Sequence, residues 1–317
     1  MAHITFIHGI SNKPEKNELL RRWKAALARS TTPFDLGASG VSSEMVSWAD
    51  VLYASPLSDD AFESAVGMES LEIPVNEKIL VEKPTSTDSQ ERAWISALAQ
   101  RLGVDETNSS LDAQLPQAAP GTLAHELERI PLPGFVKDAF LKRFLRDVHH
   151  YLFNTEFSPR SGVKYFVQDE IRKRFVDAVI IGSNKPGPHI VVSHSMGTVI
   201  AYDCLKRVVA CPRVDALVTI GSPLGIDEVQ DKLHPEWTRD DGFPSTKVAG
   251  EWLNYYDKGD VVSRLDPYLA SDYRQAGQAV VHDIAEHNDG IWRHDIEKYL
   301  KGSNVSRGIA RLLGVIL

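Results

Sequence analysis

Cysteine is scarce in this chain: Cys204 and Cys211 are the only two among 317 residues. A disulfide framework is therefore excluded as the source of stability, and both thiols read as reduced packing side chains. Positive charge is also in deficit. The formal net charge of −8 argues against a general nucleic-acid surface, so no nucleic-acid partner is expected. No apolar run reaches the length that crosses a bilayer, and no stable transmembrane span is expected. The opening residues, Met1-Ala2-His3-Ile4, pass straight into a strand pattern without a basic leader or separate export segment, which sets the expectation of a cytoplasmic location. The histidines and acids make no compact metal-ligand spacing. No metal and no other cofactor are expected.

What is present is an alternation of short apolar runs with helical periodicity. Strands are predicted at 4–7, 45–53, 189–192, 214–220, 251–256 and, more weakly, 280–281. Helices are predicted at 15–30, 91–102, 136–153, 162–181, 291–300 and from 303 onward. Pro56, Pro74, Pro84, Pro116, Pro120, Pro131 and Pro133 interrupt the stretch of residues 54–160, which reads as an inserted helical cap or a peripheral insertion within one domain of residues 1–317. Phe140, Phe144 and Val148 share a face that such a cap would pack.

The chemistry concentrates at His189-Ile190-Val191-Val192-Ser193-His194-Ser195-Met196-Gly197-Thr198, where an apolar strand runs into a turn of small residues with a serine at its centre. A nucleophile elbow needs small neighbours because the following helix approaches the strand closely. Gly197 supplies that clearance on one side. Ser193 stands where the first glycine of such an elbow is usual, and its steric fit is the point to test. A serine that only caps a buried helix would account for the turn alone.

Three further segments accompany the elbow: Ile4-Thr5-Phe6-Ile7-His8-Gly9-Ile10, Tyr255-Tyr256-Asp257-Lys258-Gly259-Asp260-Val261-Val262, and His287-Asn288-Asp289-Gly290-Ile291-Trp292. Together they resemble the α/β-hydrolase family, including esterases and lipase-like serine hydrolases, in the order serine, acid, histidine. The resemblance touches the first strand and most of residues 186–300, and residues 56–165 carry no comparably specific pattern. It implies an α/β-hydrolase-like three-layer sandwich with a largely parallel sheet and an inserted helical cap. It also implies a triad of Ser195, Asp260 and His287, with Asp257 the nearest competing acid and His282 the competing histidine. His294 falls inside the predicted 291–300 helix, where it is expected to contact its surroundings. Gly9, Ile10 and Met196 take the oxyanion positions by the same resemblance. The implied reaction is hydrolysis of a small-molecule or lipid carboxylic ester through an acyl-serine. Acyl transfer by the same nucleophile, or a noncatalytic binding scaffold, is the alternative.

Overall fold

The computed structural model describes residues 1–57, 84, 86–104, 134–290 and 292–317. Six parallel strands form the main sheet: β1 (His3–Ile7), β2 (Ser42–Val46), β5 (His189–His194), β6 (Ala216–Ile220), β7 (Trp252–Tyr256) and β8 (Val281–Ala285). Their spatial order is β2-β1-β5-β6-β7-β8. From β1 the chain first steps outward to β2, then returns to place β5 on the other side of β1. This reversal opens a crevice beyond the carboxyl ends of β1 and β5, where open α/β sheets bind ligands.

Period-two alternation sorts the strand side chains onto two faces. Ile4, Phe6, Ile190, Val192, Ala216, Val218, Ile220, Leu253 and Tyr255 join one buried cluster with α1 (Lys16–Ala28), α7 (Ile296–Lys301) and α8 (Ser303–Leu312). Ile7, Val191, Leu217 and Trp252 join the other, together with α4 (Val167–Ser183), α5 (Met196–Arg207) and the cap helices α2 (Ser89–Leu102) and α3 (Gly134–Leu152). Within the first cluster Phe6 meets Trp23 edge to face at 5.4 Å, a geometry worth about 1 kcal/mol beyond area burial. The result is an α/β-hydrolase three-layer sandwich with a helical cap, as the sequence predicts.

The cap helices obey their sequence pattern. Ile95, Leu98, Ala99 and Leu102 bury one face of α2, whose start is capped by the Asp88 carboxylate. Phe144 and Val148 are fully buried on α3. Of the expected insertion, residues 58–83 and 105–133, with Pro74, Pro116, Pro120, Pro131 and Pro133, lie outside the described residues. A one-turn α6 (Asp227–Asp231) closes against α2 through the Trp94 indole, which donates to the Glu228 carbonyl at 2.6 Å.

Three boundaries differ from the prediction by five residues or more. The strand expected over 45–53 ends at Val46, because the Trp48 indole turns back to donate to the His8 carbonyl at 3.0 Å and a short 3₁₀ turn follows. The helix expected over 162–181 begins only at Val167, behind an antiparallel hairpin of β3 (Glu156–Arg160) and β4 (Val163–Phe166). Gly162, at φ 75°, supplies the turn, and Asn154 reaches across to accept from the amides of Gln168 and Asp169. Phe166 is consequently exposed just outside α4. The third difference, at the start of α7, governs the site. Trp237 and Phe243 pack over the sheet against Tyr273 and Trp252.

Candidate active site

Ser195 ends β5 and begins α5 with φ 53° and ψ −131°, a backbone conformation that costs about 1–3 kcal/mol for a residue with a side chain. Several bonds hold it there. Its amide donates to the Ile220 carbonyl at 2.9 Å, and its own carbonyl accepts from the Thr198 amide and from Thr198 Oγ1. Ser222 then donates to Thr198 Oγ1 and accepts from the Leu224 amide, so its hydroxyl braces the elbow. The small residues are required by contact: a Cβ on Gly197 would lie 2.6 Å from the His8 carbonyl oxygen, and one on Gly9 would lie 2.6 Å from Ser195 Cβ. Ser193 fits where a glycine is usual because its side chain is fully buried and its hydroxyl donates to the Val218 carbonyl at 2.8 Å. The departure from the elbow pattern thus ties β5 to β6.

Ser195 Oγ lies 2.9 Å from His294 Nε2. His294 Nδ1 lies 2.8 Å from both oxygens of Asp260. An ionised carboxylate can only accept, so Nδ1 carries the proton and Nε2 is free to accept from the serine. Burial alone would raise the Asp260 carboxyl, yet it stays below the usual range, because the charge and hydrogen bond of His294, the Val262 amide and the Tyr299 hydroxyl outweigh that penalty. Asp260 is fixed on the turn after β7.

His287 is not brought to this cluster. It is exposed, with Nδ1 3.5 Å from Arg293, and the sequence expectation is corrected in favour of His294. The physical reason lies at the helix start. The expected 291–300 helix begins at Ile296, capped by Asp295, whose carboxylate accepts from the Glu297 amide at 2.8 Å. Residues 292–294 are therefore loop, and His294 is free to turn inward. Ile291 lies outside the described residues. The signal was present: Asp295 with an acid in the first turn is a helix start.

The competing acid and histidine have other partners. Asp257 accepts from the amides of Gly259 and Asn288 and so fastens Asn288 beside the turn after β7. His282 is exposed beside Glu251. Asp50, on the short turn after β2, pairs with Arg174. Among the described residues no three His, Cys, Asp or Glu side chains are grouped so as to hold a metal ion.

Two further histidines support the constellation. His194 Nε2 donates to the His294 carbonyl at 2.9 Å, and burial, reinforced by the His294 charge, holds this imidazole well below its ordinary pKa. His8 is pushed down to about 3 by burial and by Lys13; its Nδ1 donates to the Gly9 carbonyl at 2.8 Å while Nε2 accepts from the Trp48 amide. Its ring also stacks on Trp48 at 4.9 Å. The Gly9–Ile10 peptide is planar, so with its carbonyl turned to His8 the Ile10 N–H leaves from the opposite edge. Lys13 Nζ holds the Ile10 carbonyl at 2.5 Å. Met196 opens α5, where first-turn amides have no partner within the helix.

A buried Ser-His-Asp network at the switch point of a parallel sheet is now in place. The fold is that of an α/β-hydrolase. No family model matches the chain, and no curated protein matches it. Among solved structures it is similar to prolyl oligopeptidase B from Galerina marginata bound to a 35mer hydrolysis and macrocyclization substrate, at 18% identity and a TM-score of 0.29. The alignment covers 48% of this chain and 26% of that one, so the chain spans about a quarter of that protein's length. An overlap of this size adds nothing to the fold, which rests on strand order and local geometry. Among the described residues no helix is long and apolar enough to cross a membrane.

Proposed function

We propose that the protein is a serine hydrolase of carboxylic esters acting through an acyl-serine, with Ser195 as nucleophile, His294 as general base and acid, and Asp260 as the carboxylate that orients it. The reading is carried by the continuous line Asp260–His294–Ser195, with contacts of 2.8 and 2.9 Å in a buried setting. Ser195 would attack the acyl carbon as His294 Nε2 takes its proton; the imidazolium, stabilised by Asp260, would return that proton to the departing alcohol. Water then attacks the acyl-serine by the same route. The Met196 and Ile10 amides would receive the developing oxyanion, with Gly9 leaving room beside the nucleophile. The half-buried Phe140 of α3, its ring 5.3 Å from that of His294, supports a cap that keeps bulk water from the reacting centre.

The test is a panel of short and long acyl esters, thioesters and peptides against the parent, Ser195→Ala, Asp260→Asn, His294→Ala and His287→Ala. Ester turnover should fall about 10⁴-fold or more in the first three variants. His287→Ala should stay near the parent. Retained turnover in Ser195→Ala, or collapse in His287→Ala with survival in His294→Ala, would overturn the assignment. Activity that persists in chelator but requires Ser195 would separate covalent catalysis from a metal-assisted route.

A further inference from the structure

The cap helix that covers the triad also brings a cation with no counterion among the described residues. On α3, Phe140, Arg143 and Asp147 fall within about 60° of one another around the helix axis, so they share a face. The first of these meets His294 at 5.3 Å between ring centroids, and the last accepts from the Ser11 amide at 3.0 Å, directly beyond the Gly9–Ile10 loop. Arg143 therefore stands on the site-facing side of α3 between the catalytic imidazole and the loop proposed to hold the oxyanion.

Asp147 is spaced correctly to pair with Arg143 four residues before it, yet its oxygens are already committed. Oδ1 accepts from Nε and Nη2 of Arg146, and Oδ2 accepts from the Ser11 amide and the Tyr53 hydroxyl. Among the described residues no carboxylate forms an ion pair with Arg143, which is half-buried. A second cation lies in the same neighbourhood: Lys13 is pushed down to about 8 by burial, with Asp147 and Asp295 acting against that shift and Arg143 adding to it. Among the described residues Asp147 and Asp295 are the carboxylates acting on Lys13, and Asp147 is already taken up by Arg146. The planar fork of a half-buried guanidinium with no ion pair among the described residues suits bidentate capture of a carboxylate or phosphate.

We propose that Arg143, supported by Lys13, forms an anion-binding subsite and that the ester substrate carries an acidic group, a carboxylate or a phosphate, on the portion lying under α3. This deepens the ester-hydrolase reading and rests on it for the reacting bond. It does not rest on it for recognition. The acid seats against the guanidinium and the scissile carbonyl lies at Ser195, so charge pairing under the cap sets the register of the substrate.

The experiment compares three esters of one alcohol and equal chain length: one whose acyl chain ends in a carboxylate (a glutaric monoester), one ending in a phosphonate, and a neutral isostere. Equilibrium binding is read by calorimetry on the full-length Ser195→Ala protein, which cannot acylate, and kcat/KM is read on the parent. An acidic ester should bind tenfold or more tightly than the neutral one, and the carboxylate and phosphonate arms identify which acid is preferred. Introducing Arg143→Gln into the Ser195→Ala protein should collapse that preference, and Arg143→Lys should restore part of it, with thermal unfolding confirming a folded chain in each case. Equal affinities in the Ser195→Ala protein, or a preference untouched by Arg143→Gln, would overturn the subsite. Selective binding of the acidic ester with no turnover by the parent would instead overturn ester hydrolysis and leave the subsite standing.

Discussion

Replacing Gly9 by alanine should disable the nucleophile without unfolding the protein. The added Cβ would sit 2.6 Å from Ser195 Cβ, 3.1 Å from its Oγ and 3.3 Å from His194 Nδ1. Carbon atoms prefer about 3.5–4.0 Å, so the serine or the glycine loop must yield by about 1 Å. Neither is free to do so cheaply. The Gly9 carbonyl is fixed by His8, and the Ser195 backbone by Ile220 and Thr198. Overpacking of this kind costs about 1–3 kcal/mol of stability, which a domain of ordinary stability survives. A displacement of about 1 Å from reacting geometry costs about 10²-fold in rate, or about 2.7 kcal/mol of barrier. The assay is the second-order rate of Ser195 labelling by a small fluorophosphonate, which reads the nucleophile without knowledge of the natural ester, beside a thermal unfolding curve. A cooperative transition with labelling reduced about a hundredfold is expected. Labelling within about threefold of the parent, less than 1 kcal/mol of barrier, would refute the steric argument and with it the close apposition of the two strand ends.

Tyr299→Phe removes a hydroxyl that donates to Asp260 Oδ2 at 2.8 Å and accepts from the Asp257 amide at 2.9 Å. It should cost about 3 kcal/mol in a denaturant titration, since a charged acceptor loses a donor and a buried amide is left unpaired. The Asp260 carboxyl should also rise, visible as a higher acidic limb in the pH–rate profile; an unchanged profile would refute that coupling. The protein should also lose stability in mild acid. Burial, with like charge from neighbours, depresses His8 to about 3 and both His150 and His189 to about 4, whereas unfolded imidazoles protonate near 6.5. Between those values the unfolded chain binds more protons, so the contribution is complete above about pH 6.5 and is lost as pH falls toward about 4. Urea midpoints should decline over that window, less steeply in His189→Gln, and a flat series would refute it.

The sequence made the sheet legible because its buried strands are short apolar runs and its elbow has a rigid steric requirement met by Ser195 and Gly197. Asp260 was reached through the resemblance to the α/β-hydrolase family, and the structure places it on the turn after β7. The histidine was not. His287 and His294 lie on one loop, and which of them turns inward is decided by Asp295 beginning α7 later than the apolar pattern suggests and by Asn288 being drawn to Asp257. The β3–β4 hairpin escaped notice because its side chains alternate only between exposed and half-buried, leaving a weak apolar signal before the helix. The brace made by His194, and the Trp48 contacts that hold His8, join positions far apart in sequence, which no local pattern records.

The reversal of strand order beside β1 has a kinetic consequence. Gly9 and Ser195 touch only after the long intervening chain has folded back to set β5 against β1, and such distant closures are slow compared with local helix formation. Reactive serine should therefore emerge late in refolding, well after helical signal has recovered, which makes a quenched-time labelling course a clock for the central strand pairing.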